Sequence, residues 1–186
     1  MKENVRGNVS MLLFAYISWA ENRSLFSCPY SSQKMIIKEI REFNQKLTQK
    51  GIRIIPVHIS DKRALIYVYR PEKLKEDFSD ETTQIILKCK GYDCTNPSQC
   101  ICRLIQKLQS APDFPHEIGL FLGYPAEDVK GFIENKAACS KCSGCWKVYG
   151  DEQAARILFK KYKKCTEIYC RKWKSGVAVE QLTITI

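Results

Sequence analysis

The spacing of apolar residues along the chain predicts a helix followed by a pair of strands. Apolar residues recur every three to four positions, the spacing of one buried helical face, at Met35, Ile36, Ile40, Phe43 and Leu47. Gly51 then marks the end of this helix. Two runs rich in β-branched and aromatic residues, Ile52 to His58 and Ala64 to Arg70, predict a hairpin with a turn at residues 60–63. A lone hairpin is marginally stable, so we expect the flanking helices to cover it.

Helical patterns dominate the rest of the chain, with a few short extended pieces. Helices are predicted over residues 8–20, once or twice between residues 74 and 91, from residue 96, and over residues 114–122, 126–135 and 151–174. The last of these is expected to bury Ala154, Leu158, Tyr162, Cys165 and Tyr169. Extended pieces are predicted over residues 25–30, 146–149 and 179–186. We therefore predict a single α+β domain over residues 1–186, in which a small antiparallel sheet (the hairpin at about 52–70 plus a short strand near 146–149) is covered by several helices.

The N-terminal segment and the cysteine content together predict a cytoplasmic protein. Residues 11–20 are apolar, but crossing a bilayer takes about 20 such residues. Glu3 stands where a signal peptide would be basic and no small-residue cleavage site follows, so we expect a buried helix and no membrane partner. In the cytoplasm the ten cysteines would be reduced thiols, metal ligands or redox groups.

The net charge of +10 favours contact with something anionic, such as an acidic protein partner or an anionic ligand. The last predicted helix holds much of this charge, with aromatic residues interleaved among Arg156, Lys160, Lys161, Lys163, Lys164, Arg171, Lys172 and Lys174. Such a helix could lie along nucleic-acid phosphates. No helix with base-reading side chains is apparent, and a solvated basic face explains the same pattern, so nucleic acid is the weaker expectation.

A cysteine-rich segment, CSKCSGCWKVYGDE, begins at residue 139. The spacing C-x-x-C lets two thiolates approach one metal ion across a tight turn. A zinc site or an iron–sulfur cluster could be completed by sulfurs from the last helix, giving the candidate ligands Cys139, Cys142, Cys145, Cys165 and Cys170. The favoured hypothesis is a small metal-binding or redox accessory protein. A redox dithiol and buried thiols that act as small hydrophobes are the alternatives, and the irregularly spaced Cys89, Cys94, Cys100 and Cys102 are interpreted as incidental.

A second hypothesis is a cysteine-dependent hydrolase or transferase. Such an enzyme needs a thiol, an imidazole that takes its proton and a group that orients the imidazole. The candidates are Cys28, His116 and Glu117. Cys28 is expected before a helix, whose N-terminus would lower the pKa of the thiol. His116 could equally cap its own helix or bond within the core.

Aromatic and acidic residues near the predicted turns form a third set, consisting of Tyr124, Asp128, Trp146 and Tyr149. Aromatic side chains at such positions often line a ligand pocket, and they equally often pack in a core. Both interpretations are open from the sequence.

Several long strings are too specific for a generic helix or turn. FPHEIGLFLGYPAEDVKGFIEN, KCSGCWKVYGDE and YKKCTEIYC, with SLFSCPYSS and ALIYVYRPEKL nearer the N-terminus, resemble the bacterial domain-of-unknown-function family 3793 over about residues 24–175. The resemblance implies a small cytosolic protein of anaerobic Gram-positive bacteria without an assigned activity. The family pattern has a His-Cys-Ala-Pro-Thr-Leu-like segment upstream, where this chain has LLFAYISWAENR with neither His nor Cys. A family site in that segment would therefore be lost or changed here.

Overall fold

A computed structural model describes residues 23–110 and 113–177, without the side chains of residues 169 and 173. The first elements are β1 (Arg23–Pro29), α1 (Gln33–Leu47), a 3-10 turn (Thr48–Lys50), β2 (Arg53–Ile59) and β3 (Arg63–Tyr69). They are followed by α2 (Pro71–Asp77), α3 (Glu81–Cys89), α4 (Pro97–Ser110), α5 (Ile118–Phe121), α6 (Ala126–Glu134), β4 (Cys142–Ser143), β5 (Lys147–Val148) and α7 (Glu152–Lys174). The predicted helix over residues 8–20 and strand over residues 179–186 lie outside the described residues.

The arrangement of helices and strands confirms the α+β class. The predicted hairpin forms as β2 and β3, and β3 is the centre of an antiparallel sheet with the order β1-β3-β2. Its third strand is β1, which contains the extended piece predicted from residue 25. The strand predicted near residues 146–149 forms as β5, but it pairs with β4 in a separate two-stranded sheet.

Helix α1 packs on the three-stranded sheet through one continuous apolar cluster. Buried side chains of the helix and of the strands form this cluster, among them Phe26, Ile36, Ile40, Leu47, Ile54 and Ile66. Asn44 fixes α1 to the edge strand β2, because its Nδ2 donates to the Ile54 carbonyl at 2.7 Å and its Oδ1 accepts from the Ile54 N–H at 2.9 Å. The amide thereby satisfies backbone groups that an edge strand leaves without a neighbouring strand.

The backbone contacts divide the described residues into two compact units. The first contains residues 23–71 and 163–177, and the second contains Glu72–Tyr162. The expected single domain over residues 1–186 stays a prediction. In the described ranges, none of the helices has the length and apolar character needed to cross a membrane.

The second unit is mainly helical, and most of its predicted helices are present. Its core includes the Phe78 and Phe121 rings, which meet edge to face with centroids 5.0 Å apart. One detail of the last helix was predicted wrongly. Ala154 is exposed, whereas Ala155 is buried and packs in a cluster with Trp146 and Val148. Leu158 and Tyr162 pack against this cluster, so this part of the predicted stripe is present and Ala155 replaces Ala154 in it.

Candidate ligand pocket

Asp128 on α6 holds the segment of residues 139–150, here called the cysteine hairpin, against the helices of the second unit. Its carboxylate is buried and accepts three hydrogen bonds. One oxygen accepts from the Trp146 indole N–H at 2.7 Å, and the other accepts from the backbone N–H groups of Tyr149 at 2.7 Å and Gly150 at 2.8 Å. A charged acceptor with this many donors forms strong bonds, so one side chain fixes both the indole and the end of β5.

Two glycines allow the cysteine hairpin to approach its neighbours this closely. A Cβ placed on Gly131 of α6 would lie 2.4 Å from Cγ of the Tyr149 ring, and one placed on Gly144 would lie 2.3 Å from the Phe159 ring. Both distances are far below van der Waals contact. Gly131 and Gly144, one from each of two family-like strings, are thus explained by packing against aromatic rings.

The backbone that leads into the cysteine hairpin adopts an uncommon conformation. Lys136, Ala137 and Cys139 have φ values of 47°, 64° and 57°, in the left-handed region that side-chain-bearing residues seldom occupy. Lys147 of β5 steadies this segment, because its ammonium donates to the Ala137 carbonyl. Unfavourable backbone geometry held by surrounding contacts is often found beside binding sites.

A cavity of about 350 Å³ opens between the residues around α5, the helix α6 and the cysteine hairpin. Its wall is mainly aromatic and apolar, and polar groups are contributed chiefly by the hairpin. It is lined by Phe114, His116, Ile118, Gly119, Tyr124, Asp128, Val129, Phe132, Ser143, Gly144, Cys145, Trp146 and Lys147. Specific small-molecule sites are concave, largely apolar and contain a few polar groups, as this cavity does.

Stacked rings make one side of this cavity rigid. The Trp146 indole stacks on Tyr124 with centroids 4.7 Å apart, and it meets Phe159 at 4.6 Å and Tyr162 at 6.4 Å edge to face. Burial and the neighbouring Cys145 raise the pKa of Tyr124 to about 12, so its hydroxyl is neutral at physiological pH. The flat, uncharged surface of this wall suits contact with another ring.

The structure brings three of the four residues of the third predicted set to the cavity wall. Tyr124, Asp128 and Trp146 line it. Tyr149 does not, because its backbone N–H is bound to Asp128 and its ring packs on Gly131. The buried Tyr149 hydroxyl has no hydrogen-bond partner among the described residues. Tyr149 therefore supports the wall from behind.

His116 and Glu117, neighbours in the sequence, have different surroundings. His116 is exposed at the cavity, with its ring meeting Phe132 edge-on at 5.1 Å. Glu117 is buried and accepts from the Lys107 ammonium at 2.7 Å and from the Tyr92 hydroxyl at 3.0 Å. Burial alone would raise the pKa of Glu117, but the bonds from Lys107 and Tyr92 lower it below its usual value. Glu117 thus serves this buried network, and no described contact joins it to the imidazole as an orienting group.

Cys28 differs from the expectation in its position and in the direction of its pKa shift. It lies inside β1 and not at a helix start, it is completely buried, and its thiol donates to the Pro29 carbonyl at 3.4 Å. Burial, together with the negative charge of Glu39, raises the pKa of Cys28 despite the opposing effect of Arg63. The thiolate is the nucleophilic form, so a raised pKa argues against Cys28 as a catalytic nucleophile.

The cysteines predicted to bind a metal have unlike environments. Cys139 is exposed, whereas Cys142 and Cys145 are half-buried and pack against the Trp146 cluster. Cys165 and Cys170 are half-buried on α7 in the first unit. Across residues 23–110 and 113–177, no three His, Cys, Asp or Glu side chains are grouped so as to hold a metal ion. The described geometry therefore lends no support to a zinc or iron–sulfur centre, which stays a prediction.

The basic residues of α7 are exposed along the described helix, as predicted. One of them, Arg156, forms an ion pair of 2.7 Å with Glu152 one turn earlier. An acidic partner, an anionic ligand or nucleic acid at this helix stays a prediction.

Sequence reasoning missed several residues of the cavity wall, notably Phe114 and Phe132. Phe132 lies four residues after Asp128 on α6 and hence on the same helical face, a relation that the sequence does contain. Phe114 is 52% exposed although it is large and apolar. Phe114 lies at the mouth of a cavity because the cysteine hairpin packs nearby. The local sequence pattern does not predict that packing.

Comparison with known proteins identifies a family. A family model described as "Protein of unknown function (DUF3793)" matches residues 15–183. A search of curated proteins and a search of solved structures each returned no match.

Proposed function

The chain belongs to the DUF3793 family of proteins of unknown function, and on that premise we propose that it binds a small, flat, mostly apolar ligand in the cavity beside the cysteine hairpin. The observation that supports this most directly is the aromatic wall formed by Tyr124, Phe132 and Trp146 around a cavity of about 350 Å³. That volume lies near the lower end of small-molecule sites, which run from about 300 to 1,000 Å³. A ligand of one or two fused rings fits this size.

The polar groups of the cavity favour a ligand with one hydrogen-bonding edge. Ser143, Cys145 and Lys147 come from the cysteine hairpin, and His116 comes from the segment before α5. Asp128 already accepts three hydrogen bonds from the protein, so most of its acceptor capacity is in use. The ligand would therefore place its rings on the aromatic wall and its polar edge toward the hairpin.

The cavity is better suited to binding than to thiol chemistry. Burial raises the pKa of Cys145, so its thiol is protonated at neutral pH and is a poor nucleophile. The wall itself is preorganised by the three bonds of Asp128, which lowers the entropy that a ligand must overcome. These features support a carrier or sensor of a ring compound in preference to a cysteine hydrolase or transferase.

The proposal is tested by ligand-observed NMR with indole and quinoline as probes. We expect saturation transfer to both probes at millimolar concentration with the full chain. Phe114→Ala should weaken binding by about fivefold, because it removes an apolar contact at the mouth. Ser143→Trp should abolish binding, because Ser143 is exposed at the cavity and a bulky side chain there fills it.

Ile85→Ala is the matched control for the Phe114 variant. Ile85 is a large apolar residue that is 57% exposed and does not line the cavity, so its removal should leave probe binding unchanged. Circular dichroism of each variant checks the fold. The proposal is overturned if the probes do not bind the unmodified chain, or if they bind the folded Ser143→Trp variant equally well.

A further inference from the structure

A cross-strand pair of the cysteine hairpin contributes polar side chains to the cavity. Ser143 of β4 and Lys147 of β5 are opposite partners in the antiparallel register. Opposite residues of an antiparallel pair point to the same side of their sheet, and both of these residues line the cavity. A hydroxyl and an ammonium are therefore presented to the cavity from one side of the hairpin.

The Lys147 ammonium keeps donor capacity for a ligand. An ammonium has three N–H donors and no acceptor. The described contacts use one of the three donors, because Lys147 donates to the Ala137 carbonyl. That bond also restricts the movement of the side chain, so less conformational entropy is lost when a ligand binds to the ammonium.

The polar side chains of the cavity wall suit a ligand acceptor better than a ligand donor. Besides Ser143 and Lys147, His116 lines the cavity, and its imidazole has an N–H donor in either neutral tautomer. Asp128 supplies the carboxylate of the described wall, but it is 3% exposed and already accepts three hydrogen bonds. A ligand group at this wall is therefore expected to accept hydrogen bonds.

The charge of the cysteine hairpin favours a negative ligand group. Residues 135–150 contain Lys136, Lys141 and Lys147 and no Asp or Glu. Lys147 is half-buried at the cavity. An attraction between charges is stronger there than at an exposed site, because less water lies between the charges. A carboxylate, which has a single negative charge, matches this single ammonium.

We propose that the ligand is an aromatic carboxylate of one or two fused rings, a ligand class that rests on the binding function proposed above. The ring lies against the aromatic wall of Tyr124, Phe132 and Trp146. The carboxylate accepts hydrogen bonds from the Lys147 ammonium and the Ser143 hydroxyl. A charge-assisted bond of this kind is roughly twice as strong as a bond between neutral groups. The carboxylate thereby orients the ring and selects among ring compounds.

Indole-3-carboxylate and indole-3-carboxamide test this ligand class, because they have nearly the same shape and differ in charge. NMR titration measures the binding of each to the full chain, with neutral indole as the reference for the cavity itself. We expect the carboxylate to displace indole and to bind at least about tenfold more tightly than the carboxamide. High salt should weaken binding of the carboxylate more than binding of indole.

Three lysine variants make the result specific. Lys147→Met should weaken binding of the carboxylate at least about tenfold more than binding of indole, because the ammonium is lost. Lys147→Arg keeps the positive charge and should retain most of the preference for the carboxylate. Lys130→Met is the matched control, because Lys130 is an exposed lysine of α6 that does not line the cavity. It should leave the affinities for all three probes unchanged.

The results distinguish the ligand class from the binding function. If indole binds and the carboxylate binds no more tightly than the carboxamide, the ligand class is overturned while the binding function stands. If neither indole nor the carboxylate binds, both proposals are overturned. Binding of the carboxylate to the folded Ser143→Trp variant would place it outside the cavity and would also overturn the ligand class. The comparison on the unmodified chain decides even where a variant fails to fold.

Discussion

At the scale of single residues, the thiols differ in the access and charge that make a cysteine reactive. Cys89, Cys102 and Cys139 are exposed, whereas Cys28 and Cys100 are completely buried and have raised pKa values. Each unit by which a pKa rises above the ambient pH lowers the thiolate fraction about tenfold. With limiting iodoacetamide at neutral pH, we expect the three exposed thiols to be alkylated first and Cys28 and Cys100 last, by at least about tenfold.

Peptide mass spectrometry at successive times measures these alkylation rates. The same measurement on urea-unfolded protein gives the rates of the thiols when the fold does not protect them. In urea all ten thiols should react alike. If Cys28 in the folded chain reacts as fast as Cys139, our conclusion that the thiol is shielded is wrong, and Cys28 would again be a candidate nucleophile.

His116 and Glu117 show which contacts could not be predicted from the sequence. His116 and Glu117 form an attractive pair in the sequence, because an imidazole and a carboxylate are the parts of a catalytic dyad. In the structure Glu117 is turned to Lys107 and Tyr92, which approach it from distant parts of the second unit. Nothing in the local pattern near residue 117 predicts that network.

At the scale of elements, the cysteine hairpin depends on Asp128 more than on its own strands. Strands β4 and β5 have two residues each and are too short to be stable alone. Asp128→Ala removes three hydrogen bonds and leaves the buried Trp146 N–H without an acceptor, which should cost about 2–4 kcal/mol of unfolding free energy. Asp128→Asn should lower the unfolding free energy by less, because the amide oxygen can still accept hydrogen bonds.

Urea denaturation followed by tryptophan fluorescence measures this cost, together with a red shift of the native emission as Trp146 becomes solvated. Asp113→Ala is the control, since Asp113 is exposed and should change stability by no more than about 0.5 kcal/mol. A stable Asp128→Ala variant with unshifted emission would show that the hairpin is held by packing alone.

Elements with a strong local pattern were predictable, and those defined by distant contacts were not. Runs rich in β-branched and aromatic residues predicted β2 and β3, and apolar spacing predicted α1 and α4. Strands of two residues have no detectable period, so the pairing of β4 with β5 was missed. The burial of Ala155 in place of Ala154 follows from the packing of α7 against Trp146, which no single-helix pattern contains.

At the scale of the whole molecule, acid should destabilise the fold partly through the buried pair of Glu117 and Lys107. The pKa of Glu117 is lower in the folded state, so this carboxylate adds stability above its unfolded pKa of about 4.3 and loses it as pH falls through the folded value. Glu117→Gln should reduce stability by about 2–4 kcal/mol at pH 7, since Lys107 is then left without its partner. The difference from the unmodified chain should shrink below about pH 4.

Denaturant unfolding at several values between pH 3.5 and 7 measures this dependence. Glu134→Gln provides the control, because the Glu134 side chain is 61% exposed and its pair with Lys130 is a surface pair at 3.9 Å. A Glu117→Gln deficit that is the same at pH 3.5 and pH 7 would exclude the ionised pair as its cause.

For the molecule as a whole, the sequence predicted the fold class and the family. The α+β class follows from a hairpin flanked by helices, and the family follows from the strings around Gly119–Ile133 and residues 141–152. The cavity could not be predicted from the sequence, because it depends on how the cysteine hairpin packs against α6. The chemistry of the thiols was equally hidden, since burial distinguishes them more than spacing does.

The position of Asp128 ahead of the cysteine hairpin has a consequence for synthesis. Chains fold as they leave the ribosome, and α6 emerges before Trp146, Tyr149 and Gly150 have been added. The acceptor oxygens are therefore in place when the donors of the nascent hairpin appear. A circular permutant that begins after residue 135 would reverse this order, so that the indole N–H would emerge before the carboxylate that accepts its hydrogen bond.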